Sequence, residues 1–71
     1  MDAQFERKKR IKNETYRVFR GGVPVISDAL RNHYRRGRLS KDKPTWEQPA
    51  ALGAWLAGQD DARDGVSDQQ Q

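Results

Sequence analysis

Thr15-Tyr16-Arg17-Val18-Phe19-Arg20-Gly21-Gly22-Val23-Pro24-Val25-Ile26 is the stretch on which the fold turns. Its first half interleaves β-branched and aromatic residues with arginine, two glycines follow that accept positive φ, and Val and Ile return after them. Such runs on either side of a Gly-Gly pair read as a β-hairpin. Alternation then puts Tyr16 and Val18 on the core face, with Arg17 and Phe19 on the opposite one. Pro24 cannot donate to a ladder, so the second strand is expected to be short and at an edge, or to be an extended segment leading directly into a helix.

Downstream of the hairpin, Ser27 is a good N-cap and Asp28 suits the first turn of a helix. Ile26, Leu30 and Tyr34 recur at i, i+4, i+8, and Gly37 is a C′ stop. Residues 37–45 form a polar loop with Leu39 tucked back. Pro49 at the first helical position opens a second helix through Ala57, ended by Gly58, with Leu52, Trp55 and Leu56 as its buried stripe and Trp46 over its start. The expected core is Tyr16, Val18, Val23, Ile26, Leu30, Tyr34, Leu39, Trp46, Leu52, Trp55 and Leu56.

The ends read differently. Residues 1–13 carry Phe5 and Ile11 as their only large apolar groups after Met1, around the unbroken run Arg7-Lys8-Lys9-Arg10, and form a mobile basic arm. The arm can become helical on a partner, because Asp2, Glu6 and Arg10 lie four apart. After Gln59 apolar content collapses to Ala62 and Val66, which reads as a disordered acidic tail. The expected organisation is therefore an arm (1–13), a folded α+β domain made of a hairpin and two short helices (14–58), and a tail (59–71).

With 71 residues and no Cys, packing alone must hold this domain, and thiolate metal sites and thiol catalysis are excluded. No apolar run is long enough to cross a membrane, and no leader or lipidation pattern is present, so an intracellular, cytoplasmic location is expected. One His and carboxylates mostly near the ends give no nucleophile–base pair and no carboxylate dyad, so the chain reads as non-catalytic. His33 beside the apolar stripe is a packing residue. Asp60, Asp64 and Gly65 echo a calcium loop, but Ala62 and Gln71 stand where ligands are needed. Gly21-Gly22 lacks any phosphate-loop context. No cofactor and no metal are expected.

Charge is the signal that remains. Residues 1–43 hold thirteen Lys+Arg against five Asp+Glu, and residues 44–71 hold one against five, so a surplus of eight positive charges faces a deficit of four. Nine of the cations are Arg, which suits bidentate contact with phosphate or carboxylate. A helix face of Arg31, Arg35, Arg36 and Arg38, with Arg17 and Arg20 from the hairpin, is the expected protein-binding set. Arg7, Lys8, Lys9, Arg10 and Lys12 are the expected nucleic-acid-binding set. The bland alternative is a solvated basic face with no specific partner.

Met1-Asp2-Ala3-Gln4 followed closely by the Arg/Lys run resembles the start of lambdoid antiterminator N proteins. The overall profile is similar to that of the small proteins with which lytic phages bind host RNA polymerase. The resemblance covers about the first ten residues, and it departs from the family further on, since N proteins are disordered throughout whereas residues 15–58 read as folded. It implies a phage-encoded transcription regulator in the bacterial host cytoplasm, with Arg7, Lys8, Lys9 and Arg10 facing RNA or polymerase. Two functions are carried forward. One is a monomeric regulator that binds bacterial RNA polymerase through an undetermined subunit, inhibiting initiation or promoting antitermination. The other is a small DNA- or RNA-binding protein of the excisionase or repressor kind. The acidic end favours the first, because it lowers affinity for a phosphate backbone.

Overall fold

Thr15 to Phe19 are not a strand but the closing turns of a seventeen-residue helix, α1 (Ala3–Phe19), in a computed structural model that describes residues 3–22 and 27–67. Two further helices follow, α2 (Asp28–Arg38) and α3 (Pro49–Asp64). No strand occurs among the described residues, so the expected α+β hairpin fold gives way to an all-helical one. The second expected strand, Val23 to Ile26, lies outside the described residues, as do the core positions assigned there.

The helix wins for a reason written at a longer period. Phe5, Lys8, Lys12, Tyr16 and Phe19 recur at i, i+3, i+7, i+11 and i+14, which is one face of a 3.6-residue helix. Tyr16 and Phe19, three apart, point to opposite faces of a strand but to the same face here. Phe19, expected at the surface, is 1% exposed, while Val18, expected in the core, is exposed. The helical cost of a β-branched residue is well under 1 kcal/mol, and burying a Phe side chain contributes about 2 kcal/mol. Helical structure also runs through the expected arm, so the 13/14 boundary falls inside α1.

Ser27 caps α2 as its sequence implies, its Oγ accepting from the Leu30 N–H at 3.4 Å. Gly37 does not stop this helix. It lies inside α2, where a Cβ would sit 1.9 Å from the Trp55 carbonyl oxygen of α3. Gly58 likewise lies inside α3, with the Tyr34 carbonyl oxygen 1.9 Å from where its Cβ would be. Both glycines are contact points that let two helix backbones approach, not terminators. α3 ends instead at Gly65, whose φ of +79° places it in the left-handed region. Gly65 N–H donates to Ala62 O and Val66 N–H to Asp61 O, the double bond pattern of a Schellman cap. The first half of the expected tail is thus helix, and the 58/59 boundary falls inside α3.

α3 is the central element: α1 and α2 each pack along it and scarcely touch one another except where the Phe19 and Tyr34 rings meet at 5.9 Å. α1 runs parallel to α3, matching Lys12 with Gly53 and Tyr16 with Asp60, and α2 runs antiparallel to it. The core is Phe19, Tyr34, Ala54 and Ala57, with Tyr16 and Leu30 against it and Trp55 and Leu52 beside it. Leu39 and Trp46, both expected inside, are exposed, at 66% and 57%. Leu39 closes α2 from the solvent side, and Trp46 lies beside the start of α3, lining an open groove with Pro49, Leu52 and residues of α1.

Candidate nucleic-acid interface

The three carboxylates at the end of α3, Asp60, Asp61 and Asp64, gather around Arg20, the residue that follows α1. Asp61 has no exposed surface. It accepts from the Tyr34 hydroxyl at 2.6 Å and from the Gly21 N–H at 3.0 and 3.2 Å, and Arg20 Nε lies 3.4 Å away. Arg20 also reaches Asp64 at 2.9 Å and Asp60 at 3.8 Å, and the Tyr16 hydroxyl donates to Asp60. Arg63 pairs with Asp60 at 2.8 Å. The supposed calcium echo is therefore the last turn of α3, bound to Arg20, and no group of three or more His, Asp and Glu among the described residues could hold a metal ion. Burial and the bond to Asp61 push the Tyr34 hydroxyl up to about 12, and the bond to Asp60 raises that of Tyr16.

Of the expected protein-binding arginines, most are engaged inside the molecule. Arg20 sits in the acidic network. Arg31 is buried, Arg38 lies 5.9 Å over the Tyr34 ring and donates to its hydroxyl at 3.4 Å, and Arg35 is half-buried with an intramolecular partner. Arg36 is exposed, with Asp42 3.9 Å away. Arg17 stands apart from these, exposed on α1. His33 packs at half-burial with a buried Nδ1 that meets no donor or acceptor, and burial followed by the Arg36 charge lowers its pKa.

The expected nucleic-acid set fares differently, because the helix gathers it. Arg7, Lys9 and Arg10 are exposed, as is Arg17 of the expected protein-binding set, and among the described residues no carboxylate lies within salt-bridge distance of any of these four. Lys8 and Lys12 are half-buried and line one groove with Pro49 and Leu52 of α3. Arg10 and Arg17 lie two turns apart, bordering a shallow groove with Lys9, Asn13, Glu6 and Glu14. On the neighbouring edge, Phe5 and Trp46 line a second groove together with Lys8, Lys9 and Lys12. Lys8 Nζ stands 4.6 Å over the Trp46 ring.

Phe5 and Trp46 are the residues that sequence reasoning missed as surface features. The available signal was their spacing: Phe5 precedes Lys8 and Lys9 by three and four positions, which on a helix puts an aromatic ring among cations.

No helix among the described residues is long and apolar enough to cross a membrane. Compared with known proteins, the chain matches no family model, no curated protein and no solved structure.

Proposed function

We propose that this chain is a non-catalytic nucleic-acid-binding protein that offers the exposed cations of α1 to a phosphate backbone. The observation that carries the reading is a separation of charge. Among the described residues, Arg7, Lys9, Arg10 and Arg17 face solvent with no carboxylate in salt-bridge reach, whereas Asp60, Asp61 and Asp64 are held in ion pairs with Arg20 and Arg63. The main argument against direct phosphate contact, an acidic end free to repel it, therefore loses most of its force. Arginine forks grip phosphate oxygens bidentately, and each phosphate neutralised releases condensed counterions.

The test is a titration of a duplex and a single strand of mixed sequence between roughly 50 and 200 mM salt. These four α1 cations in contact give a log–log slope of at most about −3.6 on duplex DNA and about −2.8 on single strands, from 0.9 and 0.7 per phosphate. Absence of binding to either at the low-salt end refutes the reading.

A second reading, the adaptor on bacterial RNA polymerase, draws on one observation. α1 and α2 pack on α3 but scarcely on each other, so exposed Arg36 and Leu39 occupy a different flank from Arg10 and Arg17. Retention of polymerase subunits from a nuclease-treated bacterial lysate favours this adaptor, in which α1 contacts nucleic acid and the α2 end a protein.

A further inference from the structure

The two grooves along α1 differ in charge. The outer one, between Arg10 and Arg17, is interrupted by Glu6 and Glu14. The inner one carries Lys8, Lys9 and Lys12 with no carboxylate in its lining, over an apolar floor of Phe5, Trp46 and Leu52. Phe5 and Trp46 are 52% and 57% exposed, an unusual degree for aromatics in a domain whose other large rings are mostly packed. From these features we infer that the inner groove stacks an unpaired base of a single-stranded nucleic acid on Trp46, with Lys8, Lys9 and Lys12 on the flanking phosphates. This inference rests on the nucleic-acid reading above and adds the form of the ligand.

Size and charge choose the occupant. The groove encloses about 140 Å³, below the roughly 300–1,000 Å³ of a small-molecule site. It takes one planar ring. Three lysines on the rim and no acid favour a ring borne on a polyanionic chain, and aromatic platforms edged with cations are how single strands are held without sequence readout. In a duplex the bases are already stacked on each other, so only the phosphate contacts remain. The Lys8 ammonium, which stands over the indole in the free protein, moves to a phosphate when a base takes its place.

Tryptophan fluorescence reads the groove directly. Trp55 is buried and donates to the Lys41 carbonyl at 2.6 Å, so the quenching lost in Trp46→Phe isolates the exposed indole. Single-stranded DNA and RNA homopolymers, the matching duplexes, and an Asp/Glu-rich peptide bearing one Phe are each titrated into the full chain. The expected result is quenching of Trp46 by single strands, a loss of roughly 5- to 150-fold in single-strand affinity for Trp46→Ala, and little change on duplex. Trp46 is exposed, so the variant should melt like the parent, and Phe5→Ala gives a second, smaller loss. Equal affinity for both forms with no effect of Trp46→Ala overturns the inference and leaves the proposed function standing. No binding to any nucleic acid overturns both. Quenching by the peptide alone assigns the groove to a protein side chain, and a Trp46 signal that changes with protein concentration alone assigns it to a second copy; either overturns the inference.

Discussion

The Tyr34 hydroxyl donates to Asp61 at 2.6 Å, and neither side chain retains any exposed surface. One oxygen of a carboxylate thereby links α2 to α3, while the Gly21 N–H and Arg20 tie the same group to the end of α1. All three helices converge on one buried charge. An isolated carboxylate in such a place is costly to desolvate, and it is tolerated here because several donors reach it.

Removing that carboxylate should be severe. Asp61→Ala leaves the Tyr34 hydroxyl and the Gly21 N–H unpaired and Arg20 without its inner partner, a change that typically costs about 3–5 kcal/mol. In a domain of this size that is a large share of the total stability. Asp61→Asn should lose less, since its carbonyl still accepts from one donor. Tyr34→Phe should lose about 1.5–3 kcal/mol, the worth of a hydrogen bond to a charged group. Urea midpoints at constant slope measure the order, and a Tyr34→Phe variant as stable as the parent contradicts it.

The same contact sets an alkaline limit. Below pH 10 the tyrosine is protonated in both folded and unfolded chains, and its contribution is fully present. Between pH 10 and about 12 the unfolded chain ionises first while folded Tyr34 stays protonated, so unfolding releases a proton and stability falls by about 3 kcal/mol in all. Tyr34→Phe should flatten this loss, leaving the smaller part due to Tyr16. On the acid side His33 works in reverse: its pKa is lowered from 6.5, so below that pH the unfolded chain takes up a proton that the folded one refuses, and stability falls. His33→Gln should flatten that limb. Thermal melts across both ranges read these slopes.

Glycine replacement should run against helix propensity. Ala is favoured over Gly in a helix interior by about 1 kcal/mol. At Gly58 and Gly37, however, the new Cβ would stand 1.9 Å from a carbonyl oxygen of the facing helix. Backbone has to move, and overpacking of this kind costs about 1–3 kcal/mol or more beyond the propensity gain. Gly58→Ala and Gly37→Ala should therefore both melt below the parent. A rise in melting temperature for either would mean that the helices do not meet there.

These glycines show why part of the fold was hidden in the sequence. A glycine after an apolar helical run reads as a C′ stop, and nothing local distinguishes that from a glycine on which another helix rests, because the distinction is tertiary. The cap at Ser27 and the start at Pro49 were legible because each depends on its own backbone only. The period of α1 is hidden because two of the five positions on this face are Lys8 and Lys12, half-buried beside α3, whose charges break the apolar stripe. Asp61 was invisible for the opposite reason: a carboxylate amid falling apolar content looks solvated unless Tyr34 and Gly21 are known to face it. The cations of the interface were legible by type, but the division of the arginines into engaged and open ones needed the three helices in place.

That division yields the sharpest functional contrast, between Arg17 and Arg20, three residues apart on the same helical run. Arg20 spans Asp60, Asp61 and Asp64, so Arg20→Gln should lower the melting temperature. By leaving these carboxylates short of one cation it should also weaken nucleic-acid binding indirectly, through their repulsion of phosphate. Arg17 and Arg10 have no carboxylate within salt-bridge reach among the described residues. Arg17→Gln and Arg10→Gln should leave melting unchanged, and each should reduce the magnitude of the salt slope on duplex DNA by about 0.9, the contribution of one phosphate. The double variant should show the sum, because the two side chains lie two turns apart and share no partner. If both variants bind with the parent's slope, α1 does not face the backbone, and the exposed cations of this helix serve solubility alone.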